Sequence, residues 1–497
     1  MDREKQAVVG SVVDRGGTFE RTTDTDRTGA GGAATTSTLP RGTTLRSIDP
    51  LIGELVDREG RRQQEKAILI ASESRPDPAV LEALASPFTS LYAEGYPPRG
   101  MRGLSLDALA DIDRQLAVHR QRGNRRFYQG AELADIVECI AERRAAECFA
   151  SDAFPTERIH ANVQPLSGSA ANLAVLEACL EPGDTILAMT LTEGGHLTHG
   201  SPYSITGKRY RAVGYRTDPR TGRLDYSEIR RLAETHRPKL MIGGFTSYPW
   251  RPDWQQFRRI ADGIGALLLA DIAHTAGLVI GGTYPNPVGI ADVVTFTTHK
   301  TLCGPRGAVI LSTEERIARR IDRAVFPGLQ GGPHVNKMAA IAVAMHLANT
   351  EAFGILQRQV VANAAHLGDA LIRRGLTLAY GGTDTHMLLV DLRPLALTGK
   401  LAARVLDSAG IVCNRNVIPG DRDGADAHGI RLGTPWVTQR GMGRDEMDAL
   451  AEVIARVLLA LASCAARGSD MDASDGRLAA VVDRVAERVR AIVAMEG

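Results

Sequence analysis

Aromatic residues are scarce in this 497-residue chain, at 5% (three Trp, ten Tyr, ten Phe), so its core must be built mainly from aliphatic side chains. Neither sign of charge is in excess. The 59 Lys and Arg against 58 Asp and Glu leave a formal net charge of +1, which argues against a nucleic-acid partner or a membrane-surface role. The six cysteines, at 139, 148, 179, 303, 413 and 464, show no C-x-x-C spacing. A disulfide frame or zinc site is therefore not expected, and reduced thiols in a cytoplasmic protein are. No apolar run reads as long enough to span a bilayer, and the first residues carry no apolar leader. What is present is a globular composition, 44% hydrophobic, with length enough for two or three domains.

Residues 1–45 are rich in Gly, Thr, Arg and Asp and read as a disordered tail. A helical pattern from Ser47 to about Lys66 carries Ile48, Leu51, Ile52 and Leu55 on one face. Strand signals at Thr185–Met189, Leu240–Gly243, Ala266–Asp271, Val293–Thr297 and Ala308–Leu311 alternate with helical ones. That alternation predicts an α/β fold with a mostly parallel sheet covered on both faces. A helix at Phe353–Arg374, strands at Thr377–Tyr380 and Met387–Leu392, and helices near 399–409 and 443–464 predict a smaller C-terminal α/β domain. Gly468–Asp470 reads as a break before a last helix, Asp475–Met495. The expected division is a tail (1–45), a helical arm (46–97), an inserted segment (98–126), a large domain (127–345), a small domain (346–467) and a helical extension (468–497).

The chemistry concentrates in a few strings. Val293 to Leu302 is an apolar, β-branched strand that delivers His299 and Lys300 to its exit before Cys303-Gly304-Pro305. A lysine placed so can form a Schiff base with pyridoxal phosphate. Ser167-Gly168-Ser169 opens a helical run and suits either a phosphate or an ordinary N-cap. Leu267 to Asp271 is a buried-strand pattern ending in a carboxylate, which could pair with a pyridine nitrogen or cap a helix. His274 follows at a turn. His196 and His199 sit among glycines, and with no third ligand in view they suggest ring stacking or a structural pair rather than a metal. Arg431, inside an apolar strand, needs an anion, and a substrate carboxylate would serve.

Taken in order, Leu69-Ile70-Ala71-Ser72-Glu73, Tyr92 to Pro97, Asn162 to Pro165, Gly194 to Gly200, Asp271 to His274, Thr297 to Leu302, Phe326-Pro327-Gly328, Gly382-Thr383-Asp384 and Gly429 to Pro435 resemble serine hydroxymethyltransferase over roughly residues 47–465. The resemblance implies a fold-type I pyridoxal phosphate enzyme. In it, Lys300 carries the Schiff base, Asp271 pairs with the pyridine nitrogen, His196 stacks on the ring and His274 meets the ring hydroxyl. Ser167, Gly168 and Ser169 bind the phosphate, helped by Tyr92 and Gly332 of a second subunit, with His299 beside them. Ser72 and Arg431 take the substrate carboxylate with Tyr128 of that subunit. Glu94, also from across the interface, handles the proton near the serine hydroxyl, and Thr297 lines the pocket. Leu191, Leu197, Asn416 and Phe326 match positions that contact the pterin. It further implies a homodimer, or a tetramer built from it, with shared sites. The implied reaction converts serine and tetrahydrofolate to glycine and 5,10-methylenetetrahydrofolate through a glycine quinonoid.

The chain departs from the family pattern at Ser74 (usually Asn), Leu166 (usually His), Phe127 (the first of a usual tyrosine pair) and Trp436 (usually small). The connection between Pro97 and Phe127 is also roughly 26 residues longer than the family's short basic turn, and longer than an ordinary loop. Leu104, Leu106, Leu109, Ile112 and Leu116 give it a helical apolar stripe. This segment is expected to pack on the dimer surface near the site mouth, or to act as a lid over the acceptor. The lid keeps open an aldolase, a transaldolase or an α-methylserine hydroxymethyltransferase on the same scaffold. A scaffold that has lost catalysis is opposed by the intact Lys300, Asp271, His196 and Arg431.

Overall fold

Proline at position 50 sets the first boundary. It opens a helix well and cannot continue one, because it has no N–H to donate. The expected single helix is therefore two, α1 (Leu45–Ile48) and α2 (Pro50–Glu65). The Asp49 carboxylate accepts from the Ile52 N–H at 3.0 Å between them. The computed structural model describes residues 44–122, 125–425, 427–466 and 476–494; the expected tail, apart from its last two residues, and the break at Gly468–Asp470 lie outside the described residues. Leu45, Ile48, Leu51, Ile52, Leu55 and Val56 are all exposed.

After β1 (Ala67–Ile68), the inserted segment forms three short helices rather than one: α3 (Arg99–Arg102), α4 (Leu106–Ala110) and α5 (Ile112–Arg122). The Ser105 hydroxyl accepts from Ala108 N–H, and Asp111 accepts from Arg114 N–H. These caps compete with helix continuation and divide the stripe. Met101 and Leu109 are buried against Ile136 and Cys139 of α6 (Glu132–Phe149), with Leu104 and Leu116 at the margin and Ile112 exposed. The stripe thus packs on the chain's own α6.

Next come β2 (His160–Asn162), α7 (Gly168–Cys179), β3 (Thr185–Met189), β4 (Arg211–Tyr215), β5 (Leu240–Gly244), β6 (Leu267–Asp271), β7 (Val293–Thr297) and β8 (Ala308–Ser312). They form a seven-stranded sheet in the order β2-β8-β7-β6-β5-β3-β4. From β7 to β4 every pairing is parallel, whereas β8 runs antiparallel to β7 and β2 antiparallel to β8. Strands β3, β5, β6, β7 and β8 are covered on both faces and read as largely apolar runs, whereas edge strand β4 is mostly exposed. Successive residues of β3 alternate sides: Ile186 and Ala188 join one buried cluster, Leu187 and Met189 the other.

A second core follows α8 (Val335–Ala348) and α9 (Glu351–Arg373). Strand β9 (Thr377–Leu378) stops two residues short of expectation, where the chain turns at Gly381 with φ +74°. With β10 (Met387–Asp391), β12 (Asn414–Asn416) and β13 (Gly429–Gly433), it makes an antiparallel sheet in the order β12-β13-β10-β9. Strand β11 (Ile411–Val412) pairs parallel with β1, which builds Ala67 and Leu69 into this core. Helix α10 (Arg444–Ala466) runs through it, and α11 (Gly476–Ala494) packs on α10 through Val485 and Val489. Contrary to the reading from sequence, α10 is long and apolar enough to cross a membrane, with a mean hydropathy of 1.9 over 18 residues. Here Leu450, Ile454, Leu458 and Leu461 are fully buried in protein instead. Truncating Leu458 to Ala is expected to cost about 2–5 kcal/mol in equilibrium denaturant unfolding, the range for a leucine lost from a close-packed core.

Candidate active site

Asp271 ends β6 on the carboxyl side of the parallel strands, where open α/β sheets gather ligands. It is 7% exposed. Its Oδ2 accepts from Asn172 Nδ2 at 2.7 Å and from His199 Nε2 at 2.9 Å, and its Oδ1 from the Ala273 N–H at 3.0 Å. Burial alone would raise this carboxyl; the His199 hydrogen bond and the nearby imidazoles outweigh it and hold Asp271 well below the usual carboxylate range. His199 Nδ1 accepts from the His196 N–H, which leaves the Nε2 proton for Asp271. His196 Nδ1 accepts from the Thr198 N–H at 3.2 Å, and burial pushes its pKa down to about 4. His196 is therefore a neutral ring at physiological pH.

His196, His199 and Asp271 bring ligand-type atoms within 4.8 Å of one another, so Asp271 is the third partner that the sequence did not place beside the two histidines. Those atoms are already engaged with one another and with Thr198 and Asn172. The arrangement is accordingly a hydrogen-bonded relay.

Lys300 lies three residues past β7. Its Nζ has no hydrogen-bond or ion-pair partner among the described residues. Burial, only partly offset by Asp271, pushes the amine from 10.5 down to about 8. Backbone atoms around it are tied: the Ser74 hydroxyl donates to Lys300 O at 2.5 Å, and Cys303 N–H donates to the same oxygen. Ser74 thus has a defined task where the family pattern has Asn. His299 is half-buried and pushed down to about 4 by burial. The Thr297 hydroxyl donates to Ala273 O at 3.0 Å. Its methyl would sit 2.6 Å from a Cβ at Gly168, so only glycine fits there without a shift. Ser167 caps α7 by accepting from Ala170 N–H, and Ser167 and Ser169 are exposed beside that helix start. The N-cap reading is therefore met, and the helix start stays open to an anion.

Arg431, in β13, is 7% exposed. Its guanidinium donates to Thr246 O at 2.6 Å and to Asn414 Oδ1 at 3.2 Å, with no carboxylate in reach among the described residues. Burial lowers it to about 10. His274 stacks on His386 (ring centroids 5.6 Å apart), and burial keeps both neutral, His386 near 3 and His274 well below its ordinary value. His274 also feels the charges of Lys300, Arg431 and His196. The structure therefore gathers Lys300, Asp271, His196, His274 and Arg431 into one site; Ser72 is half-buried.

The residues expected to serve across an interface form a second group, joined to one another. Tyr92 and Tyr128 pack with ring centroids 4.8 Å apart, and Tyr92 would meet a Cβ on Gly332 at 3.1 Å. Glu94 Oε1 lies beside Gly331 and shares a hydrogen bond with the Tyr128 hydroxyl. Phe127 makes an edge contact with Phe326. Tyr92, Phe127 and Tyr128 are exposed at 55%, 76% and 41%. Of the remaining pterin-side positions, Leu191 and Leu197 are exposed, and Asn416 donates to Val417 O at 2.6 Å. Trp436 is buried, and its indole N–H has no partner among the described residues.

Sequence reasoning missed Asn172, His199 as the partner of Asp271, and His386. Asn172 carried a signal, being the one amide side chain in an otherwise apolar stretch of α7; it also accepts from the Thr295 hydroxyl at 2.7 Å.

Two outcomes follow. In cofactor-free protein, acylation of Lys300 by an amine-directed reagent, read by peptide mass spectrometry, should rise with pH through a midpoint near 8 rather than 10.5. For Asp271, the folded-state pKa is depressed, so its contribution to stability is present above the unfolded value of about 4 and is lost as pH falls. The stability gap between wild type and His199→Gln should therefore be full at pH 7 and narrow below about pH 4, as read by denaturant unfolding across pH.

A sequence model described as serine hydroxymethyltransferase matches residues 45–123 and 121–454, dividing within the last residues of the inserted segment. A protein named serine hydroxymethyltransferase from Acidothermus cellulolyticus is 47% identical over 447 residues, 90% of this chain and 95% of that protein. Relatives of the same name from Sorangium cellulosum and Paramagnetospirillum magneticum are 49% and 44% identical, covering 82% and 90% of this chain and 88% and 96% of their own lengths. From the matched residues and these relatives, this chain belongs to the serine hydroxymethyltransferase family, of fold type I.

Proposed function

We propose that this chain interconverts serine and glycine, with tetrahydrofolate accepting and returning the one-carbon unit, as a pyridoxal phosphate-dependent hydroxymethyltransferase. The observation that carries the reading is a pair of neighbouring buried cations, Lys300 and Arg431, neither holding a carboxylate of its own among the described residues. Buried charges without partners are costly and point to an anionic ligand.

The side chains fit the cofactor. Lys300 would hold its aldehyde carbon, Asp271 the pyridine nitrogen, His196 a ring face, His274 the ring hydroxyl, and Ser167, Gly168 and Ser169 the phosphate, with His299 close by. Pyridoxal phosphate, when bound, supplies an electron-accepting ring for charge developed at the amino acid Cα. Asp271 stays ionised and so would offer a negative charge to the pyridine nitrogen. Lys300, with its amine near pKa 8, has a usable neutral fraction at physiological pH. Arg431 offers a planar fork to the amino-acid carboxylate, with Ser72 and Tyr128 as further donors, and so orients the bond to be broken. Glu94, hydrogen-bonded to Tyr128, would take and return the proton of the serine hydroxyl. Leu191, Leu197, Asn416 and Phe326 are the pterin side of this reading.

The exposure of Tyr92, Phe127 and Tyr128, and of the apolar side chains of α1 and α2, supports a homodimer, or a tetramer built from it, in which the Glu94 group completes the partner's pocket. The two sheets with their separate cores support a large domain near 127–345 and a small one near 346–467. Six free thiols suit the cytoplasm. An aldolase, a transaldolase or an α-methylserine enzyme is not favoured: the three relatives share the hydroxymethyltransferase name, and the inserted segment that raised those readings packs on α6.

The first test is the absorbance spectrum of the holoenzyme with glycine. A long-wavelength band that grows on adding tetrahydrofolate supports this reading, and a response to glycine that ignores the folate would replace it with an aldolase. Arg431→Ala should lower kcat/KM for serine by roughly 10²–10³-fold, the loss of a bidentate charge-assisted pair.

A further inference from the structure

We propose that Arg126 is the positioning residue for Glu94, and that the inserted segment is the cover that keeps this clamp dry. The inference rests on the reading of Glu94 as the proton-handling carboxylate.

Arg126 closes the inserted segment, and its side chain is wholly enclosed, as are those of Asp135 and Glu138. Nε donates to Asp135 Oδ1 and one terminal nitrogen to Glu138 Oε2, both at 2.6 Å. These carboxylates stand three residues apart on α6 and so share one face. The other terminal nitrogen donates to Ala93 O at 2.7 Å and to Gly95 O at 3.1 Å, the carbonyls on either side of Glu94. The next residue along, Phe127, donates its N–H to Glu94 O at 3.0 Å. Three consecutive carbonyls are thereby held from one two-residue step of chain. The backbone of Glu94 is fixed, only its side-chain torsions remain free, and its carboxylate meets Tyr128, two residues past Arg126. Gly95 completes the fit: it has φ +109°, and a Cβ there would come within 2.9 Å of Arg126 Cα.

A guanidinium that bridges two carboxylates and two carbonyls holds position well only where water is kept out, since the same contacts weaken in high dielectric. The inserted segment supplies that exclusion. Met101 and Leu109 pack on Ile136 and Cys139, the residues next to Asp135 and Glu138 along α6. His119 of α5 lies 3.5 Å from Asp135 Oδ2, the oxygen that Arg126 does not use. The segment lies over the clamp, and through the clamp it acts on Glu94.

The test compares holoenzyme of wild type, Arg126→Lys, Leu109→Ala, Glu94→Gln and the Glu94→Gln/Arg126→Lys double variant. Lysine keeps the charge but cannot span both carboxylates and both carbonyls. For Arg126→Lys, kcat with serine and tetrahydrofolate should fall about 10²-fold, as for a small misplacement of a reacting group, while KM for serine moves less than about twofold. The double variant should be no slower than Glu94→Gln alone, because both changes act through one group. Amide exchange in the peptide spanning 91–97 should quicken about tenfold in Arg126→Lys and Leu109→Ala. Additive losses, or unchanged kcat together with unchanged exchange, would overturn the clamp. If Arg126→Lys does not fold, Leu109→Ala decides: faster exchange at 91–97 supports the cover and unchanged exchange sinks it. If Glu94→Gln keeps wild-type kcat, the role given to Glu94 fails by itself, and the exchange data alone decide the clamp.

Discussion

Keeping the buried Asp271 ionised is the requirement around which the site is built. A carboxylate taken out of water without partners would pick up a proton and lose its charge. Here its two oxygens receive Asn172, His199 and the Ala273 amide. Each donor imposes a further condition. His199 can present its Nε2 proton only because His196 N–H occupies its other nitrogen. That contact needs the chain from Gly194 to Gly200 to pass very close to β3, and a Cβ on Gly195 would come within 2.1 Å of Met189 O. The glycines around the two histidines are there for geometry, and the geometry serves a charge two strands away in the sheet.

The sheet makes the opposite charge available at the same edge. Asp271 pairs with Thr295 across β6 and β7, and Gly244 with Asp271 across β5 and β6. Parallel strands end together, so a lysine just beyond β7 reaches the space in front of Asp271. Past the strand, Gly304 N–H returns to Thr298 O at 2.7 Å, and Gln357 holds Thr301 O at 2.9 Å. These backbone groups are therefore paired, while the amine has no partner among the described residues. Because its folded-state pKa lies below the unfolded one, Lys300 lowers stability at neutral pH, and that penalty is relieved as pH rises through about 8 to 10.5. A ligand that pairs with Lys300 and Arg431 should relieve it as well, so binding offsets this stability cost.

Where chemistry sits at the end of a regular element, it was legible from sequence. Asp271 follows an apolar run and Lys300 an apolar, β-branched one, Ser167 precedes a helix, and Arg431 interrupts an apolar strand. The partners of these residues were not legible, because they come from distant positions: Asn172 reaches Asp271 across 99 residues and Thr246 reaches Arg431 across 185. The inserted segment misled because its leucines keep a helical spacing past Ser105, which starts one helix, and Asp111, which ends that helix and starts the next. Helix α10 misled in the other direction. Its Leu450, Ile454, Leu458 and Leu461 are buried in the second core while Leu459 stays exposed, so composition alone could not distinguish a core helix from a membrane span.

The two groups of functional side chains are braced against each other through polar atoms that no motif announces. Gln164 donates from its amide to Gly95 O at 2.9 Å and to Glu138 Oε1 at 2.8 Å. Its own carbonyl and that of Pro165 accept from Lys337 Nζ, each at 2.9 Å. Pro165 stands two residues before Ser167. The backbone that carries Glu94 and the backbone that leads into the Ser167 helix start are thus held by one buried set of groups: Arg126, Glu138, Gln164 and Lys337. Burial pushes the Lys337 amine down to about 7, opposed by Glu138. Removing one member would leave its partners as buried polar groups at a desolvation cost, a cost that Gln164 Oε1, without a hydrogen-bond partner among the described residues, already carries. If the Glu94 group serves a second subunit, as proposed, the same brace couples each chain's own phosphate side to the carboxylate it lends to its neighbour. Packing the inserted helices over that brace protects both at once.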